Sequence, residues 1–447
     1  MTAPIRIANC SGFYGDRLAA AREMVEGGPV DVLTGDWLAE LTMLILFKDR
    51  LKNPDGGYAK TFVRQMEQVM GTCLERGIKV VANAGGLNPS GLAAALQGVA
   101  STLGLSPSIA YVAGDDLMPR LSSLPSLDNL ETGEPLGDRA VLTANAYLGG
   151  WGIVDALTRG ADIVVTGRTT DAAIVMGPAA WHHGWARDDY DALAGALVAG
   201  HVIECGCQAT GGNYAFFQEV ADLVHPGFPI AEIASDGSAV VTKHESQGGL
   251  VSVGTVTAQL LYEITGPRYL NPDVTARFDT IALAQVGPDR VEISGVRGEA
   301  PPPTSKVCLN LLGGVKASLT FPLVGLDIEE KADLLLRSFF AVVPRDRFTD
   351  VSVDLVRSDH EDPERNEVAV AQLRIVLKAE DESALKPVRA AVVELALATY
   401  PGFYASPADT QVYGVYWPAL VPSDLLSHEV GIGDSVVRVA PTLPTGD

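Results

Sequence analysis

In the first half of the chain a short apolar strand, a glycine-rich turn and a helix follow one another repeatedly. "IRIANCSGFYGDRLAAAREMV" is the first such unit, "VDVLTGDWLAELTMLILFKDR" the second and "IKVVANAGGLNPSGLAAALQGVA" the third. "SIAYVAGDDLMPRL" starts a fourth, "AVLTANAYLGGWGIVDALTRG" reads as a fifth, and "ADIVVTGRTTDAAIVMGPAAW" is another. Strands that alternate with helices are joined by right-handed crossovers, which place the strands parallel and cover both faces of the sheet. The helix starts can be read as well. Asn88 suits an N-cap with Pro89 in the first helical position, and Asp16 and Asp36 suit the same capping role, with Glu40 near the positive end of its helix.

From about residue 272 the pattern changes. "TIALAQVGPDRVEISGVRG" reads as a hairpin turning at Gly287-Pro288-Asp289, and "SKVCLNLLGGVKASLTFPLVG" as another turning at Gly313-Gly314. A helix ("DIEEKADLLLRSFFAVV"), two alternating runs ("DVSVDLVRS" and "AVAQLRIVLKA"), a last helix and a tail strand ("DSVVRVA") follow. The expected architecture is therefore an α/β domain over residues 1–271, a parallel sheet with helices on both faces. A smaller α+β domain with a mostly antiparallel sheet follows over residues 272–447. A chain of 447 residues, 47% apolar, has the length and the core for two domains.

The net charge of −22 argues against nucleic acid or an anionic membrane surface as a partner. No apolar run reaches the roughly 20 residues that a membrane span needs. Five cysteines without paired CxxC units, and no signal peptide at the start, point to a reducing, cytoplasmic setting. A homo-oligomer fits the composition.

In a parallel α/β sheet, ligands bind beyond the carboxyl ends of the strands. The residues following each strand therefore form one crest: Asn9, Cys10, Ser11 and Asp16; Asp36; Asn83, Gly85, Gly86 and Asn88; Asp115 and Asp116; Asn145; and Arg168, Thr169 and Asp171. Arg168 closes a buried strand and opens a helix. It could grip a carboxylate or phosphate together with the helix start, or form an ion pair with Asp171 or Asp16 that fastens the crest. No P-loop lysine and no G-x-G-x-x-G is present, so no dinucleotide site is expected.

"GHVIECGCQATGGNY" is the densest polar stretch. His201 and Glu204 are three residues apart, and on a helix they share a face as an acid–base pair would. The spacing of His201, Glu204, Cys205 and Cys207 matches no common zinc signature, and no metal is expected. Asn213 follows as a candidate polar contact. Cys10 stands where a nucleophile could sit, although a free cysteine is more often a small core residue. "SGVRGEAPPPTSK" brings Arg297 and Lys306 into the second domain, where they could supply a lid and a second cation.

Taken together, "SGFYGDR", "TGDWLAELTM", "NAGGLNPSGLA", "DIVVTGRTTDAA", "HVIECGCQATGGN", "GGLVSVGTVTAQLLYEI" and "SGVRGEAPPPTSKVCLNLLGG" resemble the acyclic terpene utilisation family A (AtuA-like), from the N-terminus to at least about residue 345. The resemblance implies a place in the breakdown of branched isoprenoid acids as coenzyme A thioesters. It implies no settled reaction, and longer family members carry a further C-terminal domain that this chain is expected to lack.

The expected activity is that of a hydratase or lyase on an acyl-CoA or branched carboxylic acid, by acid–base chemistry without a redox cofactor. Arg168 with Thr169, Ser11, Gly85, Gly86 and Asn88 would bind the anionic group, and Arg297 would add a cation. Asp16, Asp36, Glu204 and His201 would move protons. Asn9, Asn83 and Asn213 would hydrogen-bond the carbonyl as charge develops. Two alternatives stay open: a non-catalytic subunit of an acyl-CoA carboxylase-type complex, and a thioester or amide hydrolase using Cys10 or a bound water.

Overall fold

The computed structural model describes residues 2–444. The chain divides into two compact units, Met1–Asn310 with Tyr416–Asp447, and Leu311–Val415. The boundary expected between 271 and 272 is therefore not the one observed: the second unit starts later, and the tail returns to the first.

The first unit is built on β1 (Ile5–Asn9), α1 (Ala20–Glu26), β2 (Val32–Gly35), α2 (Glu40–Lys52), α3 (Lys60–Arg76), β3 (Lys79–Ala82), α4 (Pro89–Leu103), β4 (Ile109–Ala113), β5 (Val141–Ala146), α5 (Trp151–Thr158), β6 (Ile163–Thr166), α6 (Ala173–His183) and α7 (Tyr190–Ile203). It continues through β7 (Ile230–Ile233), β8 (Ala239–Thr242), α8 (Val253–Leu260), β9 (Arg268–Leu270), β10 (Thr275–Arg277), β11 (Ala282–Gly287), β12 (Arg290–Ser294) and β13 (Arg297–Glu299). The main sheet runs β11-β12-β8-β7-β1-β2-β3-β6-β4 and ends with two tail strands, β18 (His428–Ile432) and β19 (Ser435–Val439). Its centre, from β1 to β4, is parallel; the flanking strands are antiparallel.

Strand alternation explains the burial of both faces. Ile7, Val32, Val81, Val164 and Val112 point into a core shared with α5, α6 and α7. Ala8, Leu33, Val80, Val165 and Ile109 point into the opposite core, shared with α1, α3 and α4. Successive side chains on a strand face opposite ways, so a strand buried on both sides reads as a continuous apolar run.

Several expectations need correction. β5 does not join the parallel sheet; it pairs with the strand β14 (Thr304–Val324). The hairpin β11–β12 forms at the expected turn, but β12 pairs with β8 and so extends the main sheet. "LLGGVK" is no turn: β14 runs straight through it. A Cβ on Gly313 would meet the Tyr413 ring at 2.4 Å, and one on Gly314 (φ +106°) would meet the Ala379 carbonyl oxygen at 2.2 Å. The two glycines admit close neighbours rather than reversing the chain. Asn88 caps α4 with Pro89 at its first position, as expected. α1 and α2 are instead preceded by Ala19 and Ala39, so Asp16 and Asp36 are free for other contacts.

The second unit holds the C-terminal part of β14, α9 (Ile328–Val342), β15 (Asp350–Arg357), β16 (Val370–Ala379), α10 (Lys386–Glu394) and the first part of β17 (Asp409–Pro422). The order β15-β16-β14-β17 with helices after the first and third strands is the split β-α-β arrangement of ferredoxin-like domains. Leu319, Phe321, Leu373 and Ile375 face Leu335 and Phe339 of α9. Residues 328, 332, 335 and 339 are the buried ones on α9, which is helical spacing. Among the described residues, no helix is long and apolar enough to cross a membrane.

Candidate functional site

The carboxyl ends of β1, β2, β3, β4 and β6 do converge, and the first unit gathers an acid–base cluster there. Arg168, the residue after the β6–Gly167 junction, is 2% exposed. Its guanidinium donates to the Leu38 carbonyl, pairs with Asp171 Oδ1 at 2.9 Å and lies 4.3 Å over the Tyr147 ring. Of the two roles left open for Arg168, an anion grip or an ion pair that fastens the crest, the ion pair is formed, with Asp171. The Arg168 Nε still has no hydrogen-bond partner.

The backbone of Arg168 is anchored by Asp115. The Asp115 Oδ2 accepts the Arg168 amide at 2.9 Å and Asn145 Nδ2 at 2.8 Å. Gly167 makes room for this: a Cβ there would lie 2.2 Å from Asp115 Oδ1. Burial pushes the Asp115 carboxyl up to about 6, against the two hydrogen bonds.

Asp36 and Glu204 are buried near the same guanidinium. Burial, then the charge of Asp171, raises the Asp36 carboxyl well above the usual range; Arg168 and Asn83 pull the other way. Burial, then Asp171 and Glu263, raises Glu204 likewise, with Arg168 opposing. His201 lies 3.5 Å from Glu204 through Nδ1 and packs beside the rings of Tyr269 and Phe278, which also contact each other. Burial lowers its pKa and favours neutral imidazole, and neither ring nitrogen is hydrogen-bonded. Glu204 Oε2, Thr169 Oγ1 and Thr170 Oγ1 are also without partners. Native proteins pair nearly all buried polar atoms, so these unpaired ones leave hydrogen-bonding capacity open at the crest.

Other candidates are brought to the crest but already engaged. Asn83 donates to Asp36 Oδ1 at 2.6 Å and accepts the Trp37 amide at 2.7 Å. Asn9 donates to the Glu204 carbonyl at 3.1 Å and accepts the Ser11 amide at 2.8 Å. These asparagines hold the crest loops; their amide groups do not point free toward a carbonyl, as expected from the sequence. The Ser11 hydroxyl donates to the Phe13 carbonyl. Asp16 accepts the Gly12 and Arg17 amides and shapes its own loop. Gly85 donates to the Thr166 carbonyl, and Gly86 completes the turn before Asn88. Asn88 accepts the Gly91 amide and donates to the carbonyls of Asp55 and Gly56. Cys10 is a buried thiol whose pKa is raised by burial, then by Cys73 and Asp16, which suits a core residue.

Two candidates are elsewhere. Arg297 belongs to the first unit, on β13, and pairs with Asp191 at 2.5 Å. Its neighbourhood includes a cavity of about 230 Å³ that Asp191, Gly195, Asp236 and Arg297 help to line. Asp191 is at the start of α7 and His201 near its end, so this cavity is at the far end of that helix from the acid–base cluster. Asn213 is half-buried and approaches Gln259 of α8 at 3.5 Å.

Sequence reasoning missed Tyr147 and Glu40 as members of the site. Tyr147 follows β5, and its hydroxyl donates to Glu40 Oε1 at 2.5 Å. A tyrosine directly after a strand rich in small residues was the available signal.

Residues 5–432 match the family described as acyclic terpene utilisation family protein AtuA. The chain belongs to the AtuA family. The match covers nearly the whole length of this AtuA chain, and membership gives it a role in acyclic terpene utilisation. Among curated proteins, none matches the chain. A homoserine dehydrogenase crystal structure from S. aureus aligns over 87% of this chain and 83% of its own, at 10% identity. Its TM-score of 0.16 is too low to support any argument about fold or activity.

Proposed function

We propose that this AtuA-family chain is a hydratase or lyase acting on an acyl-CoA thioester or related branched carboxylic acid. The observation that carries the reading is the buried Arg168, with a free Nε, facing two carboxyls whose pKa values burial raises. Arg168 would hold the substrate's carboxylate or thioester oxygen. Of Asp36 and Glu204, whose charged forms burial disfavours, one would serve as acid and the other as base, with the His201 ring 3.5 Å from Glu204. In the hydration direction the base takes a proton from water as the water oxygen bonds to the β-carbon. The acid delivers its proton to the α-carbon, and the sum is addition of one water across the double bond. No redox cofactor enters this scheme.

A non-catalytic role as a carboxylase partner subunit is favoured by one feature only, the exposed Leu41, Ile45 and Leu51 along α2. The hydrolase alternative loses its cysteine version to the buried Cys10.

The test is calorimetric binding of branched enoyl-CoA and hydroxyacyl-CoA thioesters, with mass detection of water addition. Wild type should bind and turn over at least one of them. Arg168→Lys, which keeps the charge but loses the fork, should weaken binding about tenfold or more, the loss of one charge-assisted hydrogen bond. Unchanged affinity in that variant, or no binding by the wild type, would sink the reading.

A further inference from the structure

The geometry points to a second anion site at the rim of the crest, formed by the Lys306 ammonium and the Tyr147 hydroxyl, in which Glu40 sits as an internal stand-in that an incoming carboxylate or phosphate displaces. The inference deepens the proposed function, and rests on it only for which ligand carries the anion.

Four residues make the site. The Tyr147 amide donates to the Lys306 carbonyl at 2.9 Å, so the two residues are fixed side by side by the backbone. The Lys306 Nζ lies 4.9 Å over the Tyr147 ring and 5.6 Å over the Tyr416 ring. Glu40, in the first turn of α2, accepts the Tyr147 hydroxyl through Oε1. The same Oε1 is 3.9 Å from Lys306 Nζ, an ion pair without a hydrogen bond.

The electrostatics agree with an anion being wanted here. Burial would raise the Glu40 carboxyl, but the Arg168 charge and the Tyr147 hydrogen bond outweigh it and hold the group below its usual value. The rim is also reachable. The side chains of Lys306 and Glu40 are 44% and 36% exposed, while Arg168 beneath Tyr147 is sealed. The exposed Lys306–Glu40 pair is weak, and the Tyr147 hydrogen bond that Glu40 gives up is the one an incoming anion takes over. An incoming anion would gain the Tyr147 donor and a closer contact to the ammonium. Its arrival would also loosen the Tyr147 ring that covers Arg168.

The experiment is calorimetric titration with three probes: inorganic phosphate, a free branched carboxylic acid and coenzyme A. Glu40→Gln should bind at least one probe several-fold more tightly than wild type, and Lys306→Ala about tenfold more weakly. Tightening by phosphate and coenzyme A alone assigns the site to a phosphate; tightening by the acid alone assigns it to a substrate carboxylate. A Glu40→Gln variant that binds every probe like wild type, or more weakly, overturns the inference. Should Glu40→Gln fail to fold, unchanged affinity in the surface variant Lys306→Ala overturns it instead. Because phosphate binding needs no turnover, loss of the hydratase reading alone would leave the Glu40→Gln effect in place.

Discussion

The crest of the first unit and the sandwich of Leu311–Val415 bury very different things. In the sandwich the buried residues are apolar almost throughout, and its strands alternate cleanly between Leu319, Phe321, Leu373 and Ile375 inward and polar residues outward. At the crest Arg168, Asp36, Asp115, Glu204 and His201 are all buried, several with unpaired atoms. Packing and hydrophobic burial account for the first arrangement. They count against the second, because a buried charge or unpaired polar atom lowers stability unless something compensates. On the proposed function, one region supplies stability and the other chemistry, and each half of that reading can be broken.

The largest expected effect is in the sandwich. Phe339 is fully buried on α9, against Leu335 and the sheet. Phe339→Ala should cost about 3–5 kcal/mol in denaturant unfolding, from lost transfer energy plus the cavity left behind. Thioester and phosphate affinities should not change. A parallel loss of crest affinity would erase the division of labour.

The next effect tests whether the crest is held at a cost. Burial moves the Asp115 carboxyl from 3.8 to about 6. Between those values the folded protein holds a proton that the unfolded chain has released, so this group lowers stability as pH rises through the window, and its full cost is present above it. The cost corresponds to about 3 kcal/mol. Asp115→Asn has no such titration. Its stability relative to wild type should therefore improve by about 3 kcal/mol between about pH 4 and pH 6, whatever hydrogen bonding it loses at all pH values. A flat difference across that range would mean that Asp115 is ionised throughout and that the crest carries no such penalty.

The α/β class and the crest were readable because continuous apolar runs and strand-then-helix order are local signals, and convergence at the strand ends follows from topology. That is why Arg168, Asp36, Asn83 and Asp115 could be named together although they are far apart in the chain, whereas His201 and Glu204 came from their own polar stretch. What failed depended on long-range pairing. Gly313-Gly314 has the composition of a turn, and only the proximity of Tyr413 and Ala379 shows why glycine is needed inside a strand. Arg297 went to the wrong unit because nothing local says that β12 pairs with β8. Glu40 and Tyr147 were missed as partners because β5 leaves the parallel order to pair with β14.

Asn88 carries the smallest effect and separates two meanings of a crest residue. Its position after β3 suggests ligand contact, yet its side chain is used up: Oδ1 accepts the Gly91 amide, and Nδ2 reaches the carbonyls of Asp55 and Gly56. Asn88→Ala should therefore cost about 1 kcal/mol of stability, as the loss of a helix cap usually does. Affinity for thioester and phosphate should stay at the wild-type value, since no polar atom of Asn88 is left over for a ligand. If affinity fell while stability held, the hydrogen bonds to the Asp55–Gly56 loop would have to be exchangeable for a ligand. The crest site would then extend across to α4 instead of centring on Arg168.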